Sequence, residues 1–309
     1  MLNLKNRQSG FTLVEMIVVI VITGIIGGIV AVFLKFPVQG YVDSSRRAEL
    51  TDIADTAMRR MARDVRTAVP NSIRISGCNG TPCVEFLPTK NGGRYRADPT
   101  GGGVGCGSVA NSALDFSAPD TCFEIVGSPI NFKQNDLIVV GSTQSDGNPP
   151  YQDPTQAVCG NAATTICISR YISALGAGTK QVVNVSSAYP LPAFASLSDA
   201  NPPSQRFDVV DGTEKAVTYA CIAPGGGACT TVNGNGTCQL VRYSAYGINP
   251  LQSLPNTANP PILANMVENC FIDYIVTNQR FGLLSIQLKL TSGGESVNLY
   301  NEIHVNNAP

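Results

Sequence analysis

The spacing of apolar residues along the chain changes twice. From Met16 to Leu34, 19 consecutive residues carry no charge, and at about 1.5 Å per residue such a helix spans roughly the 30 Å of a bilayer core. From Ser44 to Ala68 the pattern becomes periodic: Leu50, Ile53, Ala54, Ala57, Met61, Val65 and Ala68 recur at helical spacing and predict one apolar face. Asp55 with Arg59 and Arg60 with Asp64 are predicted i,i+4 pairs on the polar side. Downstream of Pro70 the pattern is one of short β-like runs divided by Gly, Pro, Asn and Asp clusters. Examples are Val84–Leu87, Cys122–Val126, Asp136–Val140, Cys167–Ile172 and Gln181–Val185.

Two hairpins are predicted. One joins Arg206–Val210 to Lys215–Ile222 across Asp211-Gly212, and the other joins Leu283–Leu290 to Val297–Val305 across Ser292–Glu295. The fold class is therefore α+β, a long helix against antiparallel sheet. The helix is expected from Phe11 to Ala68, roughly 85 Å long, loosened or kinked at Pro37 and stopped before Pro70. Four segments follow: 1–10 as a leader, 11–36 as the membrane half of the helix, 37–69 as its amphipathic half, and 70–309 as a β-rich globular domain. The Gly-rich stretches Gly101–Gly107 and Ala223–Gly236 read as surface loops pinned by nearby cysteines.

Composition narrows the class. The 309-residue chain is 43% hydrophobic and 14% charged, with formal net charge −1, which disfavours both disorder and a nucleic-acid ligand. The arginines at 59, 60, 63 and 66 are interrupted by Asp64 and read as a solvated, salt-bridged face. Ten cysteines, all C-terminal to the apolar run, and a single histidine, His304, point to disulfides rather than metal. Short-range partners suggest Cys78–Cys83, Cys106–Cys122 and Cys159–Cys167, while Cys221, Cys229, Cys238 and Cys270 allow three connectivities. An oxidising compartment for the globular part follows. Lys5 and Arg7 favour a cytoplasmic N-terminus, although Lys35, Arg46 and Arg47 weaken that signal.

No catalytic motif is present: there is no GxSxG, HExxH or Walker-type loop. Asp146-Gly147-Asn148 is a turn signal without the acidic spacing of a calcium loop. Asn-x-Ser/Thr sequons stand at Asn79, Asn184 and Asn235. No enzyme activity, cofactor or metal is expected.

The apolar run is too long for a secretory signal and lacks an A-x-A-like site after it. Glu15 is its anomaly, because a carboxylate among apolar residues costs several kcal/mol unless paired. It ends the sequence Gly10-Phe11-Thr12-Leu13-Val14-Glu15, which follows a short polar, basic leader. This segment resembles the class III leader of type IV pilins and type II secretion pseudopilins. The resemblance implies that a membrane-embedded prepilin peptidase cuts between Gly10 and Phe11 and methylates the new Phe11 amine. It also implies that Glu15 pairs with the N-terminal ammonium of a neighbouring subunit, and that the subunit is lollipop-shaped. Gly24 and Gly28 form a small-xxx-small pair that lets helices approach closely in lipid.

More loosely, RFDVVDGTEKAVTYAC, LVRY, EIHVNNAP and VPNSIRI are similar to minor pilins of the mannose-sensitive haemagglutinin (MSHA) pilus, of the MshO type. PilW-type minor pilins and J-type pseudopilins share the layout. Residues 90–200 match nothing recognisable. The expected partners are other minor and major pilins, the prepilin peptidase and the inner-membrane assembly platform. The implied location is the inner membrane before assembly and the pilus tip or cell surface after it.

Overall fold

The computed structural model describes residues 10–75, 78, 80–98, 106, 113–114, 120–133, 136–140, 151, 167–170, 178–184, 205–249, 251–278 and 280–307. The leader up to residue 9, Asn79, most of Gly101–Gly107, Asp146-Gly147-Asn148 and the proposed Cys159–Cys167 pair lie outside the described residues or their described side chains. The chain divides into two units, Met1–Glu49 and Leu50–Pro309.

Helix α1 runs Leu13–Arg66 and continues through Pro37 without a break. In the first unit its side chains pack against no apolar surface among the described residues. The large apolar residues from Phe11 to Val42 are exposed. Such a surface suits lipid, where the helix also satisfies its own backbone polar groups. Thr23, the one hydroxyl inside the greasy run, donates its Oγ1 proton back to the carbonyls of Val19 and Ile20 at 2.7 and 3.1 Å.

Within the second unit, Leu50, Ala54, Ala57, Met58, Met61, Ala62 and Val65 are buried. Met58 and Ala62 widen the predicted stripe, as a helix covering a broad sheet requires. This face shares one core with Phe86, Tyr219, Leu240, Leu284, Ile286, Leu288 and Ile303. Those residues come from a six-stranded antiparallel sheet of order β1-β10-β13-β14-β15-β16. Its strands are β1 (Cys83–Phe86), β10 (Val217–Ile222), β13 (Cys238–Ser244), β14 (Ile262–Asn278), β15 (Phe281–Ser292) and β16 (Glu295–Asn306). The β15–β16 turn is made by Gly293 and Gly294, whose φ values of +58° and +86° fit the two-residue hairpin turn that right-twisted strands favour.

The second six-stranded sheet has the order β6-β5-β9-β2-β3-β8. It comprises β2 (Thr89–Tyr95), β3 (Cys122–Val126), β5 (Leu137–Val140), β6 (Cys167–Arg170), β8 (Val182–Asn184) and β9 (Arg206–Val210). Among the described residues there are also two small ladders: β4 (Ile130–Phe132) with β7 (Gly178–Lys180), and β11 (Thr231–Val232) with β12 (Asn235–Gly236). Tyr95, Phe123, Ile125, Phe132, Ile138, Val140, Phe207 and Val209 make a separate core. Phe123 meets Phe207 edge to face, with ring centroids 5.2 Å apart.

The hairpin predicted across Asp211-Gly212 does not form. Strand β9 pairs with β2 and β5, whereas β10 pairs with β1 and β13. Residues 211–216 therefore carry the chain from one sheet to the other. Asp211 folds this connection by accepting hydrogen bonds from the Thr213 hydroxyl, Thr213 N at 2.8 Å and Glu214 N at 3.4 Å. Such an Asx turn uses the same Asp-Gly letters as a tight hairpin but leaves the flanking strands free to choose other partners.

The predicted Asp55–Arg59 pair forms at 2.7 Å, but the Arg60–Asp64 pair is not among those formed. Asp64 Oδ2 instead accepts from Arg242 Nε at 3.0 Å and from the Tyr219 hydroxyl. A half-buried cation on the sheet outcompetes an exposed one on the same helix, since screening is weaker there.

The connection after α1 is held by a buried polar network. Arg74 Nε donates to Glu85 at 2.8 Å, its Nη2 donates to the Asn249 carbonyl at 2.8 Å, and its guanidinium lies 3.5 Å from the centre of the Tyr151 ring. Glu85 also accepts from the Tyr246 hydroxyl at 2.9 Å. Each buried charge is thus both paired and hydrogen-bonded, which burial demands.

The structure joins Cys78 to Cys83, Cys106 to Cys122, Cys221 to Cys270 and Cys229 to Cys238. Of the three connectivities open to the last four cysteines, it adopts the one that links β10 to β14 and closes the exposed loop before β13.

Candidate functional site

The head of α1 is the first place where sequence and geometry meet in a chemically unusual group. Gly10, Phe11 and Thr12 precede the helix in irregular chain, and Gly10 and Phe11 are exposed, Phe11 by 82%. The Gly10–Phe11 peptide bond is therefore outside the helical hydrogen-bond ladder.

Thr12 is the N-cap and Glu15 sits three residues on. The Thr12 N–H donates to Glu15 Oε2 at 3.0 Å, and the Thr12 hydroxyl donates to the same oxygen at 3.1 Å. In return the Glu15 N–H donates to Thr12 Oγ1 at 3.3 Å. This reciprocal pair is a capping box, which satisfies amide groups that a helix start otherwise leaves without partners. The T-x-x-E spacing that signals it is present in the sequence, yet Thr12 is absent from the residues singled out there. Both hydrogen bonds to the Glu15 carboxylate use Oε2, so Oε1 stays open among the described residues. A carboxylate accepts about four hydrogen bonds. Capping its own helix thus leaves Glu15 with capacity for an external cation.

Gly24 and Gly28 lie one turn apart on the exposed helix. A Cβ added at either would meet nothing within 4 Å, so neither glycine serves a contact in this chain. They leave a shallow groove bordered by Ile25, Ile29, Val32 and Phe33. A groove of this kind admits the ridge of another helix, with backbones close enough for van der Waals attraction to hold them in lipid.

Elsewhere the predicted residues are structural. The paired cysteines at 78, 83, 106, 122, 221, 229, 238 and 270 brace the second unit, and His304 stands exposed on β16. Among the described residues, no three His, Cys, Asp or Glu side chains gather as metal ligands.

Residues 5–31 match the family model described as the prokaryotic N-terminal methylation motif. The match covers the basic leader, Gly10, Phe11, Glu15 and most of the apolar run, and it supports the type IV pilin and pseudopilin family. Proteins of that family are structural subunits rather than enzymes. No curated protein and no solved structure matches the chain.

Proposed function

We propose that this chain is a minor pilin which helps to initiate or build the tip of a type IV pilus of the MSHA kind. The observation that carries the reading is an exposed, non-helical Gly10–Phe11 bond set immediately ahead of a capped helix whose apolar first half, through Leu34, carries Glu15 as its one charged residue. Prepilin peptidase cuts that bond, the Phe11 amine becomes an N-methylated cation, and Glu15 of an adjacent subunit takes it up. The pair neutralises a carboxylate that lipid would otherwise penalise. It also fixes the axial register between smooth helices that would slide past one another.

Before assembly the protein is a single-pass inner-membrane subunit with its cysteine-bearing unit in the periplasm. Its partners are the prepilin peptidase, the assembly platform and other minor and major pilins. Retention of Glu15 lets it dock beneath another subunit, which assigns it a position just below the tip. The MSHA assignment rests on RFDVVDGTEKAVTYAC and EIHVNNAP, and a J-type pseudopilin of type II secretion is the alternative within the same class.

Intact-mass measurement of the protein purified from its own cells tests the reading. Loss of Met1–Gly10 together with one added methyl on Phe11 is expected; an intact leader removes the proposal. Co-purification with pilus rather than secretion components then separates the two assemblies.

A further inference from the structure

A cleft in the second unit gathers positive charge that meets no close partner among the described residues. It has a volume of about 560 Å³ and is lined by Arg66 at the end of α1, Arg94 on β2, and Arg206 and Asp208 on β9. The size falls within the ~300–1,000 Å³ typical of small-molecule sites.

The register of β2 on β9 explains the crowding. Arg94 stands directly opposite Arg206, and Gly92 opposite Asp208. Side chains alternate across a strand, so Tyr95, Phe207 and Val209 enter the aromatic core while Arg94, Arg206 and Asp208 share the other face. Like charges directly opposed on an antiparallel pair are destabilising. Even so, among the described residues the three guanidiniums make no hydrogen bond or close ion pair. Arg206 reaches Asp208 only through longer-range attraction.

Among the described lining residues one carboxylate stands against the three arginines, an excess of two positive charges at neutral pH. Gly92 keeps the floor open, since a Cβ there would come within 3.0 Å of the Phe207 carbonyl oxygen and 3.3 Å of an Asp208 carboxylate oxygen.

We propose that the cleft bounded by Arg66, Arg94 and Arg206 binds a small organic ligand through an oxyanion, a carboxylate or sulfate held by the opposed guanidinium forks. Arginine presents planar, paired donors that match such groups, and Arg94 and Arg206, both exposed, project from paired positions of neighbouring strands. The bound anion removes the repulsion that the strand register builds in. Asp208, more buried than the arginines and lying over Gly92, opposes the ligand, which limits affinity and favours exchange. None of this depends on the N-terminal reading, because every residue involved belongs to the second unit.

Calorimetric titration of the full chain in detergent, at constant ionic strength, tests the site. The probes are sodium galacturonate, sodium sulfate and neutral galactose. Saturable binding of galacturonate or sulfate, with none of galactose, is the expected result. The R94Q/R206Q pair should weaken it about tenfold or more, while R59Q on the outer face of α1 leaves it unchanged. D208N retains the fold and removes the opposing charge, so it should bind severalfold more tightly. This second variant keeps the test decisive if the arginine pair misfolds. Failure of both anions to bind, binding that R94Q/R206Q does not diminish, or a D208N chain with wild-type affinity would each overturn the proposal.

Discussion

Arg242 donates its Nε proton to Asp64 Oδ2 at 3.0 Å, joining β13 to the final turns of α1 across 178 positions of sequence. The same guanidinium reaches Glu214 on the connection between the sheets, and Tyr219 donates to the same Asp64 oxygen. Helix, sheet and connection therefore meet at one partly buried ion pair.

That pair is expected to contribute more than a surface bridge and less than a fully buried one. Arg242→Met should destabilise the second unit by about 2 kcal/mol, between the values for exposed and buried pairs. Adding Asp64→Asn should cost little more, since the partners act as a unit. A double-mutant cycle by thermal unfolding checks it, and additive losses would show that the pair is not coupled.

The two tasks assigned to Glu15 separate chemically. Glu15→Gln keeps an acceptor for the Thr12 amide but removes the charge, so helix content should hold while incorporation into filaments falls as far as in Glu15→Val. Thr12→Ala removes the cap and leaves the charge, at a cost of about 1 kcal/mol to the helix start, and should permit assembly. Circular dichroism in detergent and filament counts by electron microscopy read the two effects. Normal filaments from Glu15→Gln would end the charge-pairing account.

Asp208 gives the second unit an alkaline weakness. Burial lifts its carboxyl from 3.8 to about 6, against the pull of Arg206. The folded chain thus holds this proton more tightly than the unfolded one. Its contribution is fully present below about pH 4 and is lost as pH rises through about 6, a change of about 3 kcal/mol. Asp208→Asn should therefore raise the unfolding temperature at pH 8 and leave it nearly unchanged at pH 3.5. Equal shifts at both values would show that its ionisation is not coupled to folding. The comparison requires buffers free of sulfate and phosphate.

Asp211 has the opposite sign. Although burial pushes its carboxyl up, hydrogen bonds from Thr213, Lys133 and Glu214 hold it well below the usual range. The stability it supplies is present at neutral pH and disappears only in strong acid. Asp211→Ala should cost about 1–3 kcal/mol at pH 7 by releasing the Asx turn that separates the two sheets, as denaturant unfolding would measure.

The periodic segments were the readable part of this chain. The buried face from Leu50 to Val65 follows from 3.6-residue spacing, and the β15–β16 hairpin from a Gly-Gly pair between alternating strands. Both signals are local. Asp211-Gly212 misled because a turn motif reports a reversal of the chain but not which strands then pair. Asp64 misled because Arg60 is its neighbour in sequence, while Arg242 becomes its neighbour only in three dimensions. The linkage of Cys221 to Cys270 was equally beyond reach, since it depends on where β14 lies in the sheet. Thr12 was legible and simply overshadowed by the glutamate it caps. The arginines of the cleft come from three elements whose register no sequence pattern specifies.

The uncovered greasy surface from Phe11 to Val42 also governs supply. At about 1.5–3 kcal/mol for each large side chain, moving this segment from lipid into water would cost tens of kcal/mol, which strongly disfavours an aqueous form with this face bare. On the pilin role proposed above, recruitment to a growing end is a lateral hand-over from acyl chains to neighbouring helices. Its rate is then set by diffusion and crowding within the plane of the membrane, not by concentration in any aqueous compartment.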